Sequence, residues 1–468
     1  MPEKIILNAS SNYVVDTGKY GHVTIHTYVF KNNKELGSRL RNKAIEFISM
    51  YENLLKTSFP YDNFIIAEDI NPYGHAVPTM AVFGSSIINL PFVIDRSLGH
   101  EILHQWYGCA IDTSSKEGNW VEALTTYFAD YSYDKNNQIN YRKDILSTYQ
   151  AYASNSPYPL NKFIGNFSKK DQSIGYGKGL MVIHQIKNIT GQDQFIQGIR
   201  KFTSDKLYSK ASWQELLSYF DLPNDFYNVW IKGDKNITLK IENVKVIDNI
   251  LNFNIERTGG DKLEYISCFI HKKDGEITRV KLAVHLGVSN VNLPVDVSDI
   301  DKVYLDSDYD LMRSLTRQEN IPAFYQITSS DSITFIGYKE DRNTFMRFFP
   351  NIKDTVLTHK LIAHHLKDNN VIISMYNTVP KEVLNIFKDV LGLNFDIGKT
   401  TYLVVKNPFT KDDKYIMFTF NYSAETLNKL QHYGSYSHLT FKGTNIADKK
   451  KTITENGILI YPYIKENK

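Results

Sequence analysis

The order of apolar and polar residues predicts a first stretch of strands and one long helix at the start of the 468-residue chain. Residues 22–30 (HVTIHTYVF) alternate in polarity and are rich in β-branched residues, which is typical of a strand. Apolar residues then recur at helical spacing from Leu36 to Leu55, so an amphipathic helix is predicted there. Two further runs, NFIIAE (63–68) and SIINLPFV (86–93), are predicted to be strands.

From residue 96 to residue 231 the pattern is mostly that of helices. The predicted helices are 96–109, 120–133, 141–154, 176–189, 192–204, 212–220 and 223–231. The polar segment KGDKN (232–236) contains a glycine and indicates a boundary. The sequence therefore predicts a mostly helical first domain that covers residues 1–231.

Beyond this boundary the pattern changes twice. Residues 237–310 form short alternating runs separated by TGGD and KKDGE, which predicts a small β-sandwich domain at 237–315. From about residue 320 strands and helices alternate, and PKEVLNIFKDVLG (380–392) is one of these elements, so a C-terminal α/β domain is predicted at 320–468. The predicted fold class is multidomain α+β.

Composition and charge exclude several classes of partner. The 54 basic and 51 acidic residues nearly balance, and the run at 449–451 is more typical of a solvated turn than of a nucleic-acid-binding patch. No apolar run reaches the ~20 residues that span a bilayer, and the first residues lack a signal-peptide core. We therefore expect no nucleic-acid partner, no membrane partner and a cytoplasmic location, or export if the chain is a piece of a longer precursor.

Candidate chemistry begins with the segment GHEILHQWYG (99–108). On a helix, His100 and His104 project from one face one turn apart, and two imidazole nitrogens can then bind one zinc ion at ~2.0–2.1 Å. Glu101 lies on the same turn, where it could contact a water bound to the metal. On this motif alone, a charged helix face that happens to carry two histidines is an equally good interpretation.

A catalytic zinc site needs a third protein ligand and one position for water. The segment GNWVEALTTYFADY (118–131) supplies Glu122 on a second amphipathic helix. Glu101 could then take the proton of the attacking water and pass it to the leaving amine. The sequence therefore predicts one Zn²⁺ per chain, with His100, His104 and Glu122 as ligands.

Four segments together resemble the zinc aminopeptidases of the aminopeptidase N and leukotriene hydrolase type, which are gluzincin metallopeptidases. These segments are HEILHQW (100–106), WVEALTTYFADY (120–131), FPYDNFIIAE (59–68) and GYGKG (175–179). The resemblance covers about residues 20–230 and implies a thermolysin-like catalytic domain and a peptide substrate. It also implies that Tyr176 donates a hydrogen bond to the developing oxyanion.

The chain departs from this family where substrate amines are bound. We expect the usual N-terminal domain to be absent, and the G-x-M-E-N strand is replaced by YGHAVPTM (73–80), with Ala76 about where the amine-binding carboxylate is expected. Glu68, Asp69 or Glu117 could replace that anchor, although each is more typical of an ordinary strand-end or loop acid.

The segment between the ligands also differs from the family. Seventeen residues, Gln105 to Val121, separate His104 from Glu122, where the family has 18. Because both flanking helices align without a break, we place the missing residue in the loop at 112–119 and keep Glu122 as a ligand.

These residues predict a zinc-dependent metallopeptidase that hydrolyses short peptides by attack of a zinc-bound water. The enzyme is expected to be aminopeptidase-like, with its preference for free N-termini left open. One alternative is a thermolysin-like endopeptidase, and another is a catalytically reduced zinc-fold binding or scaffold protein. The presence of Glu101 and Tyr176 weighs against the scaffold, which needs neither a base nor an oxyanion donor.

Overall fold

The computed structural model describes residues 9–71, 73–114, 117–296, 298–356, 363–375 and 399–462. Within them the chain is a mixed α+β protein with several separate sheets, which confirms the predicted fold class at that level. The element predicted at 380–392 lies outside the described residues. Among the helices that are described, none has the length and apolar character needed to cross a membrane.

Five strands form the N-terminal sheet. They are β1 (Tyr13–Tyr20), β2 (Val23–Phe30), β3 (Asn63–Asp69), β4 (Gly74–Val77) and β5 (Met80–Gly84). Their order is β1-β2-β3-β5-β4, with β3 parallel to both of its neighbours and the two outer pairs antiparallel. β4 is therefore an edge strand, with one row of peptide groups unpaired within this sheet.

Helix α1 (Lys34–Leu55) packs against this sheet with the apolar stripe that its sequence predicts. Its buried large side chains are Leu36, Leu40, Phe47, Ile48, Tyr51 and Leu55. Burial of each such side chain contributes ~1.5–3 kcal/mol relative to an exposed position, so the stripe explains why the helix lies on the sheet.

The prediction of a strand at 86–93 is wrong. This segment consists of turns that lead into a helix, because the amide of Ile88 bonds to the carbonyl of Gly84 and that of Val93 bonds to Leu90. Pro91 explains the difference, since proline has no N–H for a sheet hydrogen bond and is tolerated in the first turn of a helix. Because the run is short, the spacing of its apolar residues does not distinguish a strand from a helix.

The region that follows is helical, as predicted. Its α-helices are α2 (Leu98–Leu103), α3 (Val121–Thr125), α4 (Gln138–Tyr152), α5 (Lys169–Gln172), α6 (Gly179–Thr190), α7 (Gln192–Lys206) and α8 (Trp213–Leu217). π-helical turns occupy Val93–Ser97, Thr126–Tyr131, Ser173–Lys178 and Tyr227–Ile231, and 3₁₀ turns occupy Lys31–Asn33 and Leu160–Lys162. Strands β6 (Asp112–Thr113) and β7 (Lys210–Ala211) form a small parallel pair.

Two antiparallel sheets follow the helical region. Their strands are β8 (Thr238–Ile247), β9 (Ile250–Thr258), β10 (Leu263–Lys272), β11 (Ile277–His285), β12 (Gly287–Pro294) and β13 (Ile300–Leu305). One sheet has the order β12-β9-β8, and β11-β10-β13 form the other. Apolar residues of both sheets, among them Phe253 and Ile266, join one buried cluster that continues into the helical region.

The C-terminal region has a seven-stranded mixed sheet with two core clusters of its own. Its strands are β14 (Ile333–Ile336), β15 (Ile352–Val356), β16 (Asn370–Met375), β17 (Thr400–Lys406), β18 (Tyr415–Phe420), β19 (His438–Lys442) and β20 (Asn445–Lys450), in the order β15-β14-β16-β18-β17-β19-β20. Its helices are α9 (Phe324–Thr328), α10 (Lys339–Met346) and α11 (Ala424–Lys429), with 3₁₀ turns at Ala363–Leu366 and Leu430–Tyr433.

The last described strand, β21 (Ile458–Tyr461), leaves this region and pairs antiparallel with β13. The limits 1–231, 237–315 and 320–468 stay predictions, but this part of the 320–468 segment belongs to the middle sheet rather than to the C-terminal one. A pairing between residues about 155 positions apart leaves no local signal in the sequence, which explains the difference.

Helix α4 connects all three regions. Arg142 donates to the carbonyls of Asp308 and Tyr309, and Lys143 donates to the carbonyl of Glu455. Ser147 lies between Asn320 and the hydroxyl of Tyr325, at 2.6 Å from each. The helical region is therefore attached to both later regions by buried hydrogen bonds.

Candidate active site

Three side chains converge where α2 and α3 meet. The Oε2 atom of Glu122 lies 3.6 Å from Nε2 of His100 and 3.4 Å from Nε2 of His104. One possible ligand atom from each residue lies within 4.8 Å of the other two, a spacing that could hold a metal ion. The structure thus brings together the three predicted ligands, and we call them the His–His–Glu cluster.

Hydrogen bonds behind the rings fix how the two histidines face the cluster. Nδ1 of His100 lies 2.8 Å from Oδ2 of Asp130, and Nδ1 of His104 lies 3.0 Å from the carbonyl oxygen of Tyr107. An ionised carboxylate and a carbonyl only accept hydrogen bonds, so each Nδ1 carries a proton. In the neutral rings both Nε2 atoms then present lone pairs to Glu122, as metal-binding histidines do.

Glu122 contributes a buried oxygen atom that lacks a hydrogen-bond partner among the described residues. Two nitrogen lone pairs and an unsatisfied carboxylate oxygen repel one another unless a positive charge lies between them. The side chains are 13% exposed for both histidines and 18% exposed for Glu122, so the cluster is accessible from one side. This donor set, with two nitrogens and one oxygen, fits a zinc ion with a position left for water.

The charges of the cluster shift its pKa values in opposite directions. Burial lowers the pKa of His100 and His104, but the carboxylates of Asp130 and Glu122 outweigh burial, so both pKa values are raised. Burial raises the pKa of Glu122, yet the charges of the two histidines hold it well below its usual range. A positive charge is therefore favoured at this point, whether it is a proton or a cation.

Glu101 lies on α2, and its side chain faces the edge strand β4. A Cβ atom at Gly74 would lie 3.6 Å from Oε1 of Glu101, so the carboxylate faces the backbone of that strand. Burial raises the pKa of Glu101, while the charges of His100 and His104 oppose the rise. The structure thus places this carboxylate against the edge strand and near the charges of the two histidines.

Tyr176 lies on the π-helical turn Ser173–Lys178, next to His100. Its ring stacks on that of His100 with 6.5 Å between the centroids. Burial raises the pKa of Tyr176, and the charge of Glu122 and a hydrogen bond to its carboxylate raise it further. The hydroxyl therefore stays protonated at neutral pH and can donate a hydrogen bond.

Close helix contacts hold these elements in place. A Cβ at Gly99 would lie 2.6 Å from the ring of Phe47 on α1, and a Cβ at Gly179 would lie 2.6 Å from the Cβ of Ala123 on α3. Glycine at both positions therefore allows the backbones to approach this closely. Lys178, which directly precedes Gly179, donates to the carbonyl of Gly233 at 2.7 Å.

Gln105 attaches the edge strand to the histidine motif. Its Oε1 accepts from the amide of Thr79 at 2.8 Å, and its Nε2 donates to the carbonyl of Val77 at 3.1 Å. These bonds hold the turn between β4 and β5 against the end of α2. The glutamine that follows His104 thus positions the strand that Glu101 faces.

Comparisons with known proteins agree with this geometry. The sequence profile of the peptidase family M1 domain matches residues 93–237, the segment that carries the His–His–Glu cluster, Glu101 and Tyr176. The alanine/arginine aminopeptidase of Saccharomyces cerevisiae is 21% identical over 215 residues, which cover 42% of this chain and 25% of that protein. The leucyl aminopeptidase of Saccharolobus solfataricus is 20% identical over 360 residues, which cover 68% of this chain and 44% of that protein.

The fold agrees as well. The crystal structure of Legionella pneumophila aminopeptidase A in complex with aspartic acid aligns with a TM-score of 0.52 at 13% identity, over 66% of this chain and 39% of that one. The chain is a distant homologue of peptidase family M1. It spans less than half the length of each of these relatives.

In this M1 homologue, sequence reasoning missed Asp130, which orients His100. Asp130 comes eight positions after Glu122, and on a regular α-helix that spacing turns the two side chains ~80° apart. The π-helical turn Thr126–Tyr131 uses more residues per turn and so brings Asp130 back toward the face that carries Glu122. The only signal in the sequence is an acid about two turns after the third ligand.

The acids named as replacements for the M1 amine anchor have different surroundings. Glu68 is buried and accepts hydrogen bonds from the amide of Phe30 and from Asn33. Asp69 accepts from the amide of Ile70 and from the side chain of Asn71. Glu117 has a buried oxygen without a hydrogen-bond partner in the described structure. The first two acids are therefore occupied by local structure.

Proposed function

We propose that this M1 homologue is a zinc-dependent peptidase that hydrolyses peptide bonds of short peptides, with an aminopeptidase-like active site. One observation carries the proposal. Two histidine Nε2 atoms and an unsatisfied oxygen of Glu122 converge, with Glu101 on the helix that carries the histidines and the ring of Tyr176 stacked on that of His100. A scaffold protein would need neither flanking residue in that position.

Three residues of the site are proposed to bind the metal, and their neighbours orient them. His100, His104 and Glu122 would hold one Zn²⁺, and Asp130 and the carbonyl of Tyr107 keep the two rings oriented. When bound, zinc supplies a Lewis acid that polarises a carbonyl group and lowers the pKa of water toward ~7. An ion held by these three residues would supply the positive charge that stabilises the negative charge developing during amide hydrolysis.

The flanking residues move the protons. Glu101 takes a proton from the water whose oxygen attacks the peptide carbonyl carbon, and passes it to the nitrogen as the carbon–nitrogen bond breaks. Tyr176 donates a hydrogen bond to the carbonyl oxygen while negative charge develops on it. The products are a free carboxylate and a free amine.

The domain that performs this chemistry is proposed to be the mostly helical, thermolysin-like segment at 1–231. The middle sheets at 237–315 would support it through the shared core, and the C-terminal region at 320–468 is joined to it by α4.

An endopeptidase is a second candidate because the edge strand lacks an acid. β4 reads Gly-His-Ala-Val, so it offers no carboxylate to bind a free amine. The substrate's N-terminus would then contribute little to binding, and internal bonds could be cleaved as well.

The proposal is tested by the substitution Glu101→Gln. Because the amide of the introduced glutamine could not accept the proton, we expect peptide hydrolysis to fall ~10²–10⁴-fold. Since Glu101 is not among the proposed ligands, the variant should still bind about one zinc per chain, measured by metal analysis after dialysis. Glu425→Gln, at an exposed position on α11, is the matched control and should keep full activity. Equal activity of Glu101→Gln and wild type would contradict the role of Glu101, and absence of bound zinc in wild type would contradict the whole proposal.

A further inference from the structure

A cavity of about 370 Å³ lies between the helical region and the C-terminal region. On the helical side it is lined by residues of α4, α5 and the π-helical turns Thr126–Tyr131 and Ser173–Lys178. On the other side it is lined by Tyr325 and by Gln431, His432, Gly434 and Ser435. Its volume lies within the range of about 300–1,000 Å³ that is typical of ligand pockets.

The wall of the cavity includes residues that belong to the candidate active site or lie next to it. Tyr176, whose ring stacks on His100, forms part of its wall, and so does Thr126, which follows Glu122 by one turn. A peptide bond placed against Tyr176 would therefore have an adjoining side chain at the entrance of this cavity.

Thr126 presents an unsatisfied hydroxyl at this wall. The residue is only 5% exposed, and its Oγ1 atom has no hydrogen-bond partner in the described structure. A buried hydroxyl without a partner is costly, so such a group is expected to meet one when a ligand is present.

The rest of the wall is rich in aromatic side chains. Four tyrosines line the cavity: Tyr141, Tyr152, Tyr176 and Tyr325. Its one carboxylate, Asp144, is paired with Lys451 at 2.7 Å, and Lys169 donates to Gln172. Aromatic rings in the wall favour contact with a large aromatic side chain.

The C-terminal part of the wall is fixed to the helical region. The amide of Tyr325 donates to the carbonyl of Gly434 at 2.9 Å, and the hydroxyl of Tyr325 donates to Ser147 on α4 at 2.6 Å. The segment 431–435 therefore keeps its place opposite Tyr176, although it comes some 250 residues later in the chain.

We propose that this cavity binds an aromatic side chain of the substrate residue next to the scissile bond, so that the C-terminal region sets side-chain specificity. The inference rests on the proposed peptidase function and adds the substrate class. Thr126 contributes a hydrogen bond to that residue, and the segment 431–435 closes the space around the ring.

Gly434 allows the cavity to be filled without strain. Its φ angle is −51°, which any residue adopts, and a Cβ there would have only the Cβ of Tyr325 nearby among the described residues, at 3.7 Å. Gly434→Phe would place a ring in the cavity. We expect kcat/KM for peptides with an aromatic residue beside the scissile bond to fall about tenfold or more, while peptides with alanine there change little. Ala424→Phe adds the same ring at an exposed position on α11 and serves as the control.

A second pair of variants tests the hydroxyl. Thr126→Val removes Oγ1 and should lower kcat/KM for aromatic peptides roughly threefold to tenfold. Thr125→Val is the matched control, because Thr125 is also buried with an unpartnered hydroxyl in the described structure but does not line the cavity. We expect it to leave the preference unchanged.

Two peptide series, with Phe or Ala on either side of the scissile bond, should be measured with wild type and all four variants. A preference for Phe in wild type that Gly434→Phe abolishes supports the inference. Cleavage without that preference, or with a preference that Gly434→Phe leaves intact, overturns the subsite and leaves the peptidase function standing. Binding of the same peptides to zinc-loaded Glu101→Gln by calorimetry separates the two claims. If wild type cleaves nothing, the function fails, and the subsite fails as well unless aromatic peptides bind and Gly434→Phe abolishes that binding.

Discussion

Two buried groups of charges in this molecule differ in how completely they are satisfied. Arg313 lies between Asp306 and Glu319 at 2.6 and 2.7 Å, and all three side chains are at most 1% exposed. Glu319 also accepts a hydrogen bond from the amide of Thr316. In the His–His–Glu cluster, by contrast, an oxygen of Glu122 lacks a partner among the described residues and the side chains are 13–18% exposed.

The difference separates a structural cluster from a binding site. pKa values are shifted at both places, because burial raises that of Asp306 to about 6 while the histidine charges lower that of Glu122. A shifted pKa therefore does not identify the site by itself. The combination of converging ligand atoms, an unsatisfied acceptor and access to solvent distinguishes the His–His–Glu cluster from the cluster around Arg313.

The largest effect on stability is expected from a substitution in the buried cluster of Arg313, Asp306 and Glu319. Arg313→Met leaves two buried carboxylates without their partner, which should lower the free energy of unfolding by ~3–5 kcal/mol. Urea unfolding followed by circular dichroism measures the change. Lys240→Met, which breaks an exposed pair with Glu242, is the control and should change the free energy of unfolding far less, because solvent screens exposed ion pairs. Equal effects of the two variants would contradict the comparison.

Removing one hydroxyl at the open cluster should change catalysis and leave stability intact. Tyr176→Phe loses the proposed hydrogen bond to the developing oxyanion, so kcat should fall ~10²–10³-fold. Zinc content and the urea midpoint should stay at the wild-type values. Tyr265→Phe, at a residue that is 63% exposed, controls for loss of a phenol elsewhere. A Tyr176→Phe protein with wild-type kcat would assign the tyrosine a packing role instead.

A smaller effect is expected from the residue behind His100. Asp130→Asn keeps the shape of the side chain but weakens the orientation of the ring, so zinc affinity should fall ~10–100-fold. Competition with a chromophoric chelator measures it. Asp134→Asn nearby, whose carboxylate lies 3.8 Å from Arg96, provides the matched control. Equal zinc affinity in the two variants would show that His100 needs no carboxylate behind it.

Local pattern predicts most of the helical region because its signals have a short range. The apolar stripe of α1 and the i, i+4 spacing of His100 and His104 each depend on residues within a few turns. The fold class at the level of mixed α and β structure is predictable for the same reason. The convergence of Glu122 with the histidines could be predicted only by counting the residues between His104 and Glu122 and comparing that spacing with the family that the sequence resembles.

Features that depend on distant contacts or on rare backbone geometry could not be predicted. The pairing of β21 with β13 joins segments about 155 residues apart, and the cavity wall at 431–435 faces Tyr176 from farther still. Asp130 needs a π-helical turn that amino-acid propensities do not indicate. The run at 86–93 shows the opposite case, since Pro91 was a local signal against a strand.

The smallest effect concerns the substrate's N-terminus, because β4 carries no acid and two of the three candidate amine-binding acids already have other partners. Ala76 offers no charge on β4, and Glu68 and Asp69 are occupied by local hydrogen bonds. We therefore expect matched peptides with free and acetylated N-termini to differ less than about fivefold in kcat/KM, as for an ion pair worth at most ~1 kcal/mol. Glu117→Gln is the informative variant, because Glu117 has an unsatisfied buried oxygen in the described structure. A large preference for free amines that this variant removes would make Glu117 the amine anchor, and one that it leaves intact would require another acid.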